Sequence, residues 1–254
     1  MSDVISAKIW GELLNQSFMI EIDEARYSSL STSIFAFCAS KGLCPDELLV
    51  RAQNLKLTES EWAYLLHLAT NHETTFFRYP ATTEFIADHV SCIQSPKIVS
   101  VGCSTGEEAY SIATALLRRG RASFQILGTD ISEICIDTAR LGTYKANPHL
   151  SQDVVAPARD GRVVFHSWIK DKVRFQQHNV MGTDPFEIEN PDVIVTQNML
   201  IYYKPKTRHA ILGRLASALP KGGILITGLT EDAGYTNPNL IQVVSQYLNA
   251  YLKV

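Results

Sequence analysis

From Lys97 onward, short apolar runs alternate with amphipathic ones, and this rhythm restricts the fold more than any other feature of the chain. KIVSVG ends in Gly102 and leads into CSTGEEAYSIATALLRRG, a helical pattern closed by Gly120. FQILGTD leads into ISEICIDTARLG, closed by Gly142. VRFQQHNV and PDVIVTQN read as further strands, KTRHAILGRLASALPKGG as a helix with its turn, and GILITGL as another strand. The tail QVVSQYLNAYLKV suits either a last strand or a helix. Such alternation implies an α/β fold, a doubly wound and mostly parallel sheet covered on both faces. Right-handed crossovers then gather the carboxyl ends of the strands along one edge, where a ligand site belongs.

The first stretch, residues 1–70, shows no strand alternation and reads as a small all-α domain ahead of a second domain over residues 71–254. Helices are expected around Ser6–Ser17, Ser31–Ser40, Pro45–Leu55 and Ser60–Thr70. Pro45 with Asp46 and Glu47 opens the third, and Thr58-x-x-Glu61 before the fourth has the form of a capping box. Between Gly142 and Val173 the α/β rhythm breaks. Asp160-Gly161 separates two pieces there, and RVVFHSWI has strand character, so a short hairpin-like β insertion is expected over about 143–172.

Charge and cysteine usage exclude several classes. A formal net charge of -3 speaks against a general phosphate-backbone binder, so nucleic acid is not an expected partner. No apolar run reaches the roughly 18 residues of a membrane span, and MSDVISAKIWGELL lacks a signal peptide's order, which places the chain in the cytoplasm without membrane insertion. The five cysteines form no C-x-x-C pair and the seven histidines no metal spacing, so neither disulfide nor metal is expected. Cys38, in the apolar run IFAFCA, reads as a buried thiol.

Four motifs carry candidate chemistry. In VSVGCSTGEEAYSIA a strand runs into Gly102, then Gly106, then a helix start, which brings backbone amides close to a ligand. Glu107 and Glu108 at that start suit a ligand bearing positive charge, or simply the helix dipole. Asp130 ends a strand, where an acid accepts hydrogen bonds from a ribose diol or caps a helix starting at Ile131. Asn179 and Asn198 fall at corresponding strand ends, as turn residues or as groups that hold a ligand. In NHETTFFRYP, Phe76 and Phe77 anchor the segment in a core, while Thr74 and Arg78, four apart, share a face on a helix-like turn. An arginine beside packed aromatics is suited to gripping a carboxylate bidentately.

Taken in order, HETTFFR, GCSTGEEAYSIA, LGTDIS, a strand ending HNV, and QNMLIYY followed by a helix and PKGG resemble the CheR family of chemotaxis-receptor glutamate methyltransferases, from about Thr70 to Leu229. The resemblance implies a Rossmann-like class I methyltransferase sheet behind a small helical domain. It also implies S-adenosyl-L-methionine as cofactor, S-adenosyl-L-homocysteine as product, and glutamates in the cytoplasmic helical region of a methyl-accepting chemotaxis-type receptor as acceptors, with the enzyme acting as a monomer. By the same resemblance, His72, Thr74, Arg78, Gly102, Glu108, Asp130, Asn179, Val180, Gln197 and Asn198 surround the cofactor. Glu108 then meets its methionine end, Asp130 its ribose, and Asn179 with Val180 its adenine, while Arg78 and Tyr202 stand nearest the transferred methyl and the incoming glutamate.

The chain departs from the family pattern at several points. His72 stands for the usual Asn, Gln197 for the usual Arg, Ala109 for Pro, and Gly228-Leu229-Thr230-Glu231 for G-H-S-E. The second helix, LSTSIFAFCASKG, holds only Lys41 where relatives carry several arginines. Two further readings stand beside this one: a cofactor-binding regulator with little turnover, motivated by Gln197 and the arginine-poor helix, and a methyltransferase for a small molecule, which a lid rather than a docking hairpin over 143–172 would suit.

Overall fold

The computed structural model describes residues 2–243 and 247–254, with side chains from Lys8 on; the middle of the tail read as a last strand or helix lies outside them. The chain forms two compact units, Met1–Asn71 with Ile201–Thr207, and His72–Leu200 with Arg208–Val254.

The first unit is built from four helices, α1 (Ser2–Phe18), α2 (Tyr27–Lys41), α3 (Pro45–Gln53) and α4 (Glu59–Ala69). Helix α2 starts four residues earlier than the sequence predicts. A short turn over Glu24–Arg26, capped by Asp23, feeds straight into it, and the hydroxyls of Ser29 and Thr32 bond back to Arg26 and Ser28 carbonyls instead of breaking the first turn. Gly42, left-handed at φ 65°, ends it. Both halves of the capping box at α4 are made: Glu61 N–H donates to Thr58 Oγ1 at 3.3 Å and Thr58 N–H to Glu61 Oε2 at 2.8 Å. Trp10, Leu14, Ile34, Phe37, Leu48 and Leu65 fill the interior, and Cys38 is buried with them.

The second unit opens with α5 (Pro80–His89), which the sequence reading passes over although Pro80 occupies its first turn. Then come β1 (Lys97–Val101), α6 (Glu107–Arg118), β2 (Gln125–Asp130) and α7 (Glu133–Leu141). The insertion follows: β3 (Thr143–Lys145), β4 (Val155–Pro157), β5 (Arg162–Phe165) and the short α8 (Ser167–Lys170). The chain closes with β6 (Val173–Gln177), β7 (Val193–Thr196), α9 (Pro205–Ala218), β8 (Ile224–Thr227), β9 (Leu240–Val243) and β10 (Asn249–Lys253). The main sheet runs β6-β2-β1-β7-β8-β10-β9, and β10 pairs antiparallel with both of its neighbours. It is the doubly wound, mostly parallel sheet that the alternation predicts. Among the described residues of the tail, β9 and β10 are strands and pair antiparallel.

The order in which strands are added reverses between the parallel β1 and β7, since the chain places β2 and β6 on one side and β7 and β8 on the other. Open sheets of this kind bind ligands at the carboxyl edge of that switch point. The insertion is a three-stranded antiparallel sheet, β3-β5-β4, where the sequence reading expects a hairpin alone. Within it, Ala158 N–H donates to Arg162 O across a three-residue turn, Arg159–Gly161, in which Asp160 and Gly161 are left-handed at φ 56° and 67°. Tyr144 and Phe165 on its inner face pack against Phe76 and Tyr110, the Phe165 and Tyr110 rings stacking at 4.0 Å. The insertion is therefore a fixed part of the core.

Candidate functional site

At the carboxyl edge, β1 runs into a loop held by the next strand. Gly102 and Cys103 both donate their N–H to the Thr129 carbonyl, at 2.8 and 2.9 Å. Gly102 has φ 75°, and a Cβ there would lie 2.6 Å from Met199 Cβ, so only glycine passes. The Tyr144 hydroxyl donates to Thr105 O at 2.7 Å, which ties the loop to the insertion.

Asp130 closes the same region from β2. Its Oδ2 accepts Ser104 N–H at 2.9 Å and its Oδ1 accepts Ser132 N–H at 2.9 Å. The adjacent helix begins at Glu133 and is capped by Ser132, so helix capping is not the role of Asp130. Burial raises its carboxyl pKa, against the pull of those amides and of His72. The His72 carbonyl accepts from Ser104 Oγ at 3.0 Å, and its Nδ1 lies 3.1 Å from Cys135 Sγ, whose thiol burial pushes up to about 11.

The two acids at the start of α6 differ. Glu107 accepts from Thr105 Oγ1 at 2.7 Å. Glu108 accepts from Ser100 Oγ at 2.6 Å, and burial pushes its pKa up to about 7. The Ser100 hydrogen bond opposes that rise, Glu231 adds to it, and the charge of Arg78 opposes it. Arg78 is thus electrically in touch with the acid expected to meet a cationic group.

The segment carrying Thr74 and Arg78 is irregular and not a helix-like turn, so the shared helical face expected for the two does not exist. Phe77 sits at φ 53°, a strained value for an aromatic residue. Its N–H donates to Ser111 Oγ at 2.9 Å, and the Arg118 guanidinium covers its ring at 4.9 Å. Phe76 is buried as expected, Thr74 is half-buried, and Arg78 is exposed with its Nη1 donating to Glu73 O at 2.9 Å.

The other strand ends complete the edge. Asn179 lies two residues past β6, and its Oδ1 accepts Met181 N–H at 2.9 Å in a local turn, with Val180 buried beside it. After β7, Gln197 donates to Thr82 Oγ1 at 3.3 Å, while its Oε1 is buried without a donor. Asn198 is left-handed at φ 62°. It accepts the Tyr79 hydroxyl on Oδ1 at 3.0 Å and donates its N–H to Glu231 Oε2 at 2.7 Å. Glu231, 3% exposed, is noted in sequence only as the last residue of Gly228-Leu229-Thr230-Glu231 and is not among the residues expected at the cofactor. Two of its bonds are to backbone amides, those of Asn198 and Gly228, which leave no pattern in a sequence. Tyr202 belongs to the first unit, where its hydroxyl accepts Asn71 N–H at 2.9 Å and reaches Asn71 O at 3.3 Å.

This edge is rich in acceptors. Glu108, Asp130 and the donorless Gln197 Oε1 suit a ligand that brings an ammonium group and a ribose diol, as S-adenosylmethionine does.

Comparison with known proteins agrees. The family described as CheR methyltransferase, SAM binding domain, matches residues 72–248. A chemotaxis protein methyltransferase of Vibrio parahaemolyticus is 32% identical over 182 residues, 64% of this chain and 66% of the relative. One of Borreliella burgdorferi is 30% identical over 186 residues, 65% of each. The match spans just under two thirds of the length of these relatives. Among solved structures, a TehB-like SAM-dependent methyltransferase of Corynebacterium glutamicum aligns over 77% of this chain and 95% of its own, with a TM-score of 0.41 and 16% identity.

Proposed function

The chain belongs to the CheR methyltransferase family, and from that premise we propose that it transfers methyl groups to glutamate carboxylates of a methyl-accepting chemotaxis-type receptor. Residues 71–254 form the methyl-transferring domain in this reading and residues 1–70 the leading helical domain. The enzyme works in the cytoplasm, as a monomer, on the helical region of the receptor. Among the described residues no helix is long and apolar enough to cross a membrane.

The observation that carries the reading is the tie between Asp130 and the Ser104 amide, which joins an acid at the end of β2 to the glycine loop after β1. Asp130 is assigned to the ribose, Glu108 and Gln197 to the methionine end, and Asn179 with Val180 to the adenine. His72, Thr74, Gly102 and Asn198 complete the surround. When bound, S-adenosylmethionine supplies an electrophilic methyl group and leaves as S-adenosylhomocysteine.

The protein has little acid–base work to do. A glutamate side chain has a reference pKa of about 4.3 and is already ionised at neutral pH. What remains is to hold the carboxylate in line and exclude water, and alignment of this kind is worth up to roughly 7–11 kcal/mol. Arg78 is exposed, spends one N–H on Glu73 O, and keeps others for a bidentate grip on the substrate. The insertion, packed into the core through Tyr144 and Phe165, favours a fixed docking face over a lid closing on a small metabolite.

Titration calorimetry with S-adenosylhomocysteine tests the cofactor half of the reading. Saturable binding is the expected result, and no binding at millimolar ligand overturns it.

A further inference from the structure

Asn198 has a left-handed backbone, and two side chains from different elements bond it, one at its backbone N–H and one at its side-chain oxygen. For a non-glycine residue, φ near 62° is uncommon and persists where the surroundings impose it. Glu231 imposes it from the turn after β8. Its Oε2 accepts Asn198 N–H at 2.7 Å and Gly228 N–H at 3.1 Å, while Glu231 N–H returns a bond to Gly228 O at 3.1 Å. The same oxygen fills the space beside Gly228, where a Cβ would lie 2.0 Å away. A carboxylate this deep is costly to bury unless charge-assisted bonds satisfy it, and here two backbone amides converge on one oxygen. The Tyr79 hydroxyl, from the start of α5, fixes the side chain by donating to Asn198 Oδ1 at 3.0 Å. With its oxygen engaged in this way, the Asn198 amide keeps both N–H donors to offer a ligand.

Resting on the reading that Asn198 borders the cofactor, we propose that Glu231 and Tyr79 are positioning residues acting through Asn198, which they hold with its amide N–H groups presented to the cofactor's carboxylate. Glu231 locks the ends of β7 and β8 together. Tyr79 decides which end of the amide faces the ligand. Neither needs to touch the ligand itself.

The test is a double-mutant cycle read by S-adenosylhomocysteine affinity in calorimetry, with thermal midpoints recorded alongside. Glu231→Ala is expected to weaken binding about 10-fold or more. Glu231→Gln, whose amide oxygen still accepts both N–H groups, is expected to stay within about threefold of the parent. The deciding result is the pair: Glu231→Ala combined with Asn198→Ala binds no more weakly than Asn198→Ala alone. Asn198→Asp, which keeps an oxygen for Tyr79 but removes the N–H donors, is expected to weaken binding at least as much as Asn198→Ala. Should Glu231→Ala fail to fold, Tyr79→Phe carries the same cycle, weakening binding about fivefold alone and not at all when Asn198 is already alanine.

Losses that multiply in the double variants, or parental affinity in both Glu231→Ala and Tyr79→Phe, overturn the proposal. Tighter binding by Asn198→Asp overturns the assignment of a carboxylate, since an added negative charge favours a cation. Absence of binding by the unaltered chain is a different failure, because it removes the functional reading and this inference with it.

Discussion

Asp130 Oδ2 accepts the backbone N–H of Ser104 at 2.9 Å, so the acid at the end of one strand holds the glycine loop at the end of its neighbour. Its other oxygen takes Ser132 N–H, which leaves the carboxylate rigid with lone pairs still able to accept hydroxyl donors. Asp130→Ala is expected to weaken S-adenosylhomocysteine binding by about 1.5–3 kcal/mol, the range for hydrogen bonds to a charged group. Unchanged affinity in a folded variant reduces Asp130 to a tie between two loops.

Gly102→Ala is expected to destabilise the second unit. The new Cβ would meet Met199 at 2.6 Å, and φ 75° is strained for alanine. Together these cost about 1–3 kcal/mol, visible as a lower denaturant midpoint with an unchanged slope. A midpoint equal to the parent's contradicts the close approach of β1 and β7 at this point.

Cofactor affinity is expected to depend on pH through Glu108. Burial raises its pKa to about 7, so the empty site binds a proton below that value. A cationic ligand group favours the ionised acid and lowers its pKa, so binding releases the proton. Affinity therefore rises with pH up to about 7 and is flat above it, with a slope of at most one decade per pH unit. Folding stability moves the other way, falling as pH rises from about 4.5 to 7, because the folded chain holds the proton that the unfolded chain has lost. Glu108→Gln is expected to abolish this slope in affinity, and a slope that survives the change assigns it to another group.

Much of this architecture is legible in the residues themselves. Strand and helix periodicity locate the parallel strands, Asp160-Gly161 the tight turn, and Thr58 with Glu61 a helix start, because each is a local pattern with a local cause. The extra strand of the insertion is three residues long, too short for a period of two to register. Antiparallel pairing of β10 with β8 joins residues far apart in sequence, Asn249 with Thr227 and Leu252 with Ile224, which a short apolar tail does not announce. At the site, residues ending strands are visible because strand ends are. The left-handed Phe77 is not, since an aromatic residue does not signal positive φ, and the Glu231 of Gly228-Leu229-Thr230-Glu231 gives no sign in sequence that it bonds the Asn198 amide.

Arg78→Ala is expected to lower turnover by about 10–100-fold while changing S-adenosylhomocysteine affinity far less. The side chain is exposed, so its loss leaves no buried gap and folding is preserved. Equal losses in turnover and affinity place Arg78 on the cofactor alone.

The most direct measurement of the central claim is methyl transfer from labelled S-adenosylmethionine to membranes carrying the host's own chemoreceptors, followed by mild alkali. The account predicts incorporated label that alkali releases as volatile methanol, which identifies a carboxyl methyl ester. No incorporation by protein that binds S-adenosylhomocysteine, or label that alkali leaves in place, contradicts it.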